Sequence, residues 1–158
     1  MTQPTPESVW DYPRPPRVEP STELVEVVLG GVTVASSTTS WRVLETSHPP
    51  TYYLPRSAFL PDALRDTGGA TWCEWKGQAS YVDLVAGEVV APRAGWFYAT
   101  PTAGFEVIAG AVAVMPGLVD RCVVDGEVVE PQPGSFYGGW ITSRVVGPFK
   151  GAPGTLGW

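Results

Sequence analysis

Residues 24–37 read LVEVVLGGVTVASS, two short apolar runs on either side of a Gly-Gly pair. Short runs rich in β-branched residues are strand material, and a glycine pair between two of them is hairpin turn chemistry. The pattern recurs along the chain. SWRVLE (40–45) reads as a third strand, and ATWCEWKGQASYVDLVA (70–86) as two strands about a turn at 75–77. GEVVAP (87–92) and GWFYATP (95–101) read as two further short strands. AVAVMPGLVDRCVVDGEVVEP (111–131) holds two more, with an Asp-Gly hairpin at Asp125 and Gly126. Only two stretches read as helical. RSAFLPDALRDTGG (56–69) is interrupted by Pro61 and closed by two glycines, and AGFEVIAG (103–110) has room for one or two turns. Eight to ten short strands with at most two short helices predict a mostly β fold, a sandwich or open barrel.

A chain of 158 residues suits one domain. Residues 1–22 form a Pro-rich arm in which Trp10 and Tyr12 offer apolar surface for docking onto a body. Residues 23–131 are the β domain. Residues 132–158 are rich in Gly and Pro but studded with Phe136, Tyr137, Trp140, Phe149 and Trp158, so they read as a packed wrap of the same domain. EWKGQA and PFKGAP echo each other as aromatic-Lys-Gly, too short a likeness to define a repeat.

Composition excludes several classes. The net charge is −6 and there is no Lys/Arg cluster, which argues against a nucleic-acid partner. No apolar run approaches the length that spans a bilayer, and the first twenty residues hold no apolar signal-like stretch. Cys73 and Cys122 have no close-spaced partners, so free thiols and a cytoplasmic setting are expected. No metal and no cofactor are expected.

The chain has one histidine, His48, in RVLETSHPPTYYLP (42–55). An imidazole titrates near neutral pH and suits general acid–base work, with Glu45 orienting it or acting beside it. The alternative is a loop histidine bonded to backbone before a Pro-Pro corner. Cys73 and Lys76 form a second pair. Cys73 is either a nucleophile activated by the ammonium or a small packed hydrophobe. Lys76 is an amine nucleophile, an anion anchor, or a turn residue lying on Trp75. Arg42 is a candidate for pairing with Glu45 or with a ligand carboxylate, or else a surface ion pair. Tyr53, Tyr81, Trp96 and Tyr98 are candidates for pocket walls, although most aromatics must serve the core.

Taken in order, LETSHPPTYYLP, CEWKGQASY and GWFY resemble the bacterial and fungal family known as domain of unknown function 427. Glu45 and His48 match its Glu-x-x-His. Cys73, Trp75, Lys76, Gly77 and Tyr81 match its Cys-Pro-Trp-Lys-Gly…Tyr, with Glu74 in place of proline. Trp96 and Tyr98 match its Trp-Tyr-Tyr-Pro, with Phe97 at the middle aromatic. The arm and tail resemble the longer members. The resemblance implies a compact antiparallel β domain of the Mss4-like, or β-tent, type. Many such proteins hold zinc between two Cys-x-x-Cys knuckles, which this chain lacks. The family is sometimes labelled nucleotidyltransferase-like. That chemistry needs paired carboxylates for Mg²⁺, and the chain has no Asp-x-Asp, no Glu-x-Asp and no Gly-rich phosphate loop.

The functional expectation is a small-molecule enzyme of acid–base or hydrolytic type, with Glu45 and His48 catalytic. Arg42, Tyr53, Cys73, Lys76, Tyr81, Trp96 and Tyr98 would contact the ligand. A non-catalytic ligand-binding or sensor module is the alternative, and a structural protein forming a homodimer through its arm or tail is the third reading.

Overall fold

The computed structural model describes residues 6–73, 75–134 and 137–158. Along the chain the strands are β1 (Glu7–Ser8), β2 (Arg17–Ser21), β3 (Val25–Leu29), β4 (Val32–Ser37), β5 (Ser40–Leu44), β6 (Thr51–Leu54), β7 (Leu64–Cys73) and β8 (Gly77–Ala86). They continue with β9 (Val89–Phe97), β10 (Val112–Val114), β11 (Arg121–Val124), β12 (Glu127–Val128), β13 (Glu130–Pro131), β14 (Trp140–Ile141) and β15 (Val145–Val146). The helical content of the described residues is four three-residue 3₁₀ turns. The fold is mostly β, as the turn-bounded runs predict.

A seven-stranded sheet, in the order β2-β5-β6-β10-β9-β8-β7, packs against a four-stranded sheet, β12-β11-β3-β4. Every pairing within both is antiparallel. Period two sorts the side chains. Val25, Val27 and Leu29 meet Tyr52, Leu54, Leu84 and Val112 between the sheets. Residues of the opposite parity, Val43, Tyr53, Ala79 and Ala113, line the outer face of the large sheet and form a second cluster with Tyr98, Phe105 and Ile108. Full burial of each large apolar side chain is worth about 1.5–3 kcal/mol.

Part of the tail packs onto the sheets, with Phe136 lying outside the described residues. Trp140 is fully buried between the sheets, stacks on Tyr52 at 4.9 Å, and donates its indole N–H to the Val114 carbonyl at 3.0 Å. The arm docks too: Val9 and Tyr12 are buried against Leu44 and Val145. Its β1 runs parallel to β15 of the tail, and its β2 becomes an edge strand of the large sheet.

The details depart from the sequence reading in three places. Among the described residues there are fifteen strands, four of them short strands of the arm and tail and eleven, β3 to β13, between residues 23 and 131. The expected helix over 56–69 is a 3₁₀ turn at Arg56–Ala58 followed by β7, which begins at Leu64. Leu64 and Arg65 find ladder partners in Leu84 and Asp83, and Gly68 and Gly69 fall within a register shift instead of closing a helix. Finally, 87–92 and 95–101 do not give two strands; Val89–Phe97 is one strand, β9, with a bulge opposite Asp83. Pro92 has no N–H to lose at that bulge, and the freed Arg93 N–H donates to the Asp83 carboxylate at 2.8 Å.

Candidate functional site

A tight turn brings Glu45 and His48 together. The His48 N–H donates to the Glu45 carbonyl at 3.0 Å, and Ser47 sits at φ 70, the left-handed value such a turn requires at its third position. Arm and tail hold the turn from behind. Ser47 N–H donates to the Val9 carbonyl at 3.0 Å, Thr46 N–H to the Pro13 carbonyl at 3.3 Å, and Lys150 N–H to the Ser47 carbonyl at 2.9 Å. His48 Nε2 faces Glu45 Oε2 at 3.4 Å, and Arg14 Nε reaches the same oxygen at 3.5 Å.

Gln132 decides which form of the imidazole is presented. Its Oε1 accepts from the Gly139 N–H at 3.0 Å, and its Nε2 donates to the Lys150 carbonyl at 2.8 Å. A backbone N–H can only donate and a carbonyl can only accept, so the amide has one orientation. The remaining contact, Nε2 to His48 Nδ1 at 3.2 Å, is then a donation to the ring. Nδ1 must be the acceptor, which leaves the proton on Nε2, facing Glu45. Tyr137 packs edge-on against the imidazole at 4.9 Å.

These groups line a cavity of about 550 Å³ on the outer face of the large sheet. The β7–β8 turn brings Lys76 into it, pinned by a Thr102 N–H donating to the Lys76 carbonyl at 3.1 Å and by a Thr102 hydroxyl donating to the Trp75 carbonyl. Lys76 is only 9% exposed, and among the described residues no carboxylate lies within ion-pair distance of its ammonium. Its nitrogen sits 5.7 Å from the centre of the Tyr98 ring. Burial works to lower its pKa, but Tyr53, Cys73 and Glu45 outweigh that and hold it above the ordinary lysine value. Lys76 is therefore an ammonium, which suits an anchor and not an amine nucleophile. Glu45 moves the other way. Burial raises its pKa, and the contacts with His48, Lys76 and Arg14 bring it below the ordinary carboxylate value, so the group is ionised near neutral pH.

The remaining candidates fall as follows. Tyr53 is fully buried on the cavity floor and its hydroxyl accepts from the Trp96 indole at 3.3 Å. Tyr98, Trp96, Cys73 and Tyr81 also line the cavity. The Tyr81 hydroxyl bonds Thr71 Oγ1 at 2.9 Å, and the Arg93 guanidinium lies 4.4 Å over its ring. Cys73 and Cys122 are free thiols. Among the described residues no group of three His, Cys, Asp or Glu could hold a metal ion.

Arg42 does not belong to the site. On β5 it has the opposite parity to Val43 and pairs across the sheet with Tyr52, on the face away from the cavity. It is neither a partner of Glu45 nor a surface group. It is 0% exposed, donates to Glu7 Oε1 at 2.7 Å and to the Tyr12 hydroxyl at 3.3 Å, and pairs with Glu19.

Sequence reasoning missed Gln132, Tyr137, Lys150 and Arg93, all of which line the cavity. Arg93 needed the bulge in β9 to be known. Gln132 and Lys150 reach the site only through the path of the tail, although the aromatic-Lys-Gly echo at 149–151 was a usable signal.

These features place the chain in the broad class of small, mostly antiparallel β proteins, here with an aromatic-walled cavity on one face of the large sheet. Within it, the chain belongs to the family described as domain of unknown function DUF427, whose model matches residues 17–125. No curated protein matches the chain. Gln132, Tyr137 and Lys150 lie outside the matched residues, so part of this cavity is lined by the tail, while Arg14 of the arm reaches it only through Glu45.

Proposed function

We propose that the protein is an enzyme that acts on a small molecule by acid–base chemistry at Glu45 and His48. The observation that carries this reading is the thrice-bonded Gln132, which leaves a neutral imidazole with its Nε2–H turned toward an ionised carboxylate inside a cavity. Glu45 acts as the base. Its Oε2 is shared between His48 and Arg14, and its Oε1 has no partner among the described residues. His48 donates a hydrogen bond from Nε2 to an oxygen on which charge develops, as a neutral imidazole does when it polarises a carbonyl. The Lys76 ammonium holds that oxygen or an anionic group beside it. The 3.4 Å separation of Nε2 from Oε2 exceeds a good N–H···O distance, which leaves the Nε2 proton free to be shared with substrate. Two unpaired cysteines and an acidic surface support a cytoplasmic setting.

The test is proton exchange. The freshly purified protein is examined by native mass spectrometry for a retained small molecule. That molecule and a panel of carboxylate-bearing carbonyl compounds are then incubated in D₂O and followed by NMR. Glu45→Gln should slow deuterium incorporation or hydrolysis by about 10²–10⁴-fold. Equal rates in the two proteins would remove Glu45 from the chemistry.

A second reading, a non-catalytic binding module, has its own support. Both imidazole nitrogens already face protein groups, which suits fixed recognition. A retained molecule that stays unchanged in D₂O favours it.

A further inference from the structure

The chain has only two lysines, Lys76 and Lys150, in the two aromatic-Lys-Gly segments, and both line this one cavity. We infer that the cavity takes a small molecule with two separated anionic groups, one held by Lys76 and the other by Lys150, on an apolar body packed between aromatic side chains. The inference deepens the functional reading above, resting on the same cavity, and it names the class of substrate.

Charge makes the first argument. The protein carries 16 acidic and 10 basic side chains, yet the described lining of the cavity includes one carboxylate, Glu45, against Lys76, Arg93 and Lys150. A cavity lined by more cations than carboxylates in a protein of net negative charge concentrates anionic ligands. Incomplete neutralisation makes the second. Among the described residues neither lysine pairs with an Asp or Glu carboxylate. Lys76 is nine-tenths buried, and an ammonium taken out of water without a counter-charge is costly. Each ammonium instead lies over a tyrosine ring, Lys76 at 5.7 Å from Tyr98 and Lys150 at 5.4 Å from Tyr137. A ring face steadies a cation without cancelling its charge. An incoming anion completes what the rings and, at Lys150, the Trp158 oxygen leave undone.

Separate mounting of the two lysines argues for two anionic groups instead of one. The Lys76 backbone is fixed by Thr102 in the β7–β8 turn. The Lys150 backbone is fixed by Ser47 and Gln132 at the other element of the site. Lys76 has Tyr53, Cys73 and Glu45 as electrostatic neighbours, whereas Lys150 has Tyr137 and the Trp158 main-chain oxygen, to which it donates at 3.3 Å. Among these contacts of the described residues the two lysines have no neighbour in common. Trp75 and Trp96 supply apolar wall to the same cavity, which suits a ligand whose middle is not charged.

The test is a titration series followed by calorimetry and NMR. The probes are straight-chain dicarboxylates from malonate to adipate, terephthalate, the monomethyl esters of each, benzoate, and 4-carboxyphenyl phosphate. Wild-type protein should bind at least one dianion about tenfold tighter than its monoester, the worth of one charge-assisted contact. Lys150→Gln should erase that difference and leave benzoate affinity unchanged. Lys76→Gln should weaken monoanions and dianions alike. 4-Carboxyphenyl phosphate against terephthalate separates a phosphate end from a carboxylate end. Failure of every dianion to bind, equal affinity for dianions and their monoesters, or loss of benzoate binding in Lys150→Gln would each overturn the inference. Binding is read without turnover, so a dianion that binds and returns unchanged removes the catalytic reading and leaves this one standing. Turnover of a monoanion with no gain from a second charge does the reverse.

Discussion

Arg42, on β5, and Lys76, in the β7–β8 turn, are both buried cations of the large sheet, and their surroundings differ completely. Arg42 lies on one face in a closed clamp. Glu7 and Glu19 take its guanidinium, Tyr12 shares the same carboxylate, and Arg144 binds both Glu7 and Glu23. Lys76 lies on the other face, with tyrosine rings, a thiol and an open cavity but no carboxylate within ion-pair distance among the described residues. Both have raised pKa values against the pull of burial, Arg42 chiefly through its bond to Glu7 and Lys76 through the combined field of Tyr53, Cys73 and Glu45. A clamp that satisfies its own charges is built to hold the arm and tail in place. Lys76, with no carboxylate at ion-pair distance among the described residues, is instead open to the cavity, as the proposed anion site requires.

The sharpest way to break this contrast is a pair of substitutions. Arg42→Met removes the buried guanidinium that ties Glu7 to Glu19, leaving Glu7 to Arg144 and Glu19 to Arg17, and should cost about 1.5–3 kcal/mol, read from urea unfolding. Lys76→Met strands nothing and should cost under about 1 kcal/mol while removing anion binding. Equal losses of stability would mean that Lys76 is structural after all.

Gly138→Ala acts on the cavity wall alone. A Cβ there would run into the Trp96 ring and stand 2.9 Å from the Met115 sulfur. Overpacking of that kind costs about 1–3 kcal/mol, and ligand affinity should fall further than stability does. An unchanged affinity would place the ligand away from Trp96.

Acid should unfasten the clamp and the turn together. Burial raises the pKa values of Glu7, Glu23 and Glu45. The bonds Glu7 receives from Arg42 and Tyr12, those Glu23 receives from Ser21, Tyr52 and Arg144, and the contact of Glu45 with His48 more than reverse this. A carboxyl whose folded pKa lies below its unfolded value binds fewer protons folded than unfolded. Its stabilisation is therefore complete above about pH 4.5 and is lost as pH falls through the lower folded values. Thermal unfolding measured from pH 7 to 3 should show Tm falling below about 4.5, with a shallower fall in Glu7→Gln. The smallest effect belongs to Trp72, 74% exposed at the cavity's edge. Trp72→Ala should change stability by less than about 0.5 kcal/mol, and any loss of ligand affinity beyond that marks Trp72 as a contact.

Much of the site could be read before the fold was known. Glu45, His48, Tyr53, Cys73, Lys76, Tyr81, Trp96 and Tyr98 do share one cavity, because short motifs at strand ends and turns travel with the backbone that carries them. The hairpins at Gly30–Gly31 and at Asp125 and Gly126 were legible for the same local reason, positive φ that glycine accepts. Arg42 was misplaced because parity on a strand says which residues share a face and not which face is covered. The stretch 56–69 was misread because its ladder partners, Leu84 and Asp83, lie some twenty residues further on.

Local chemistry in the sequence thus determined the β class, the turns, and which residues were available for acid–base and anion-binding work. The tertiary structure alone decided that Gln132 would fix the imidazole's proton, that Arg42 would be enclosed while Lys76 was left open, and that the only two lysines would face one cavity. Those outcomes depend on the paths of an arm and a tail that pair with each other across more than a hundred residues of chain, and no local pattern encodes where such segments end up.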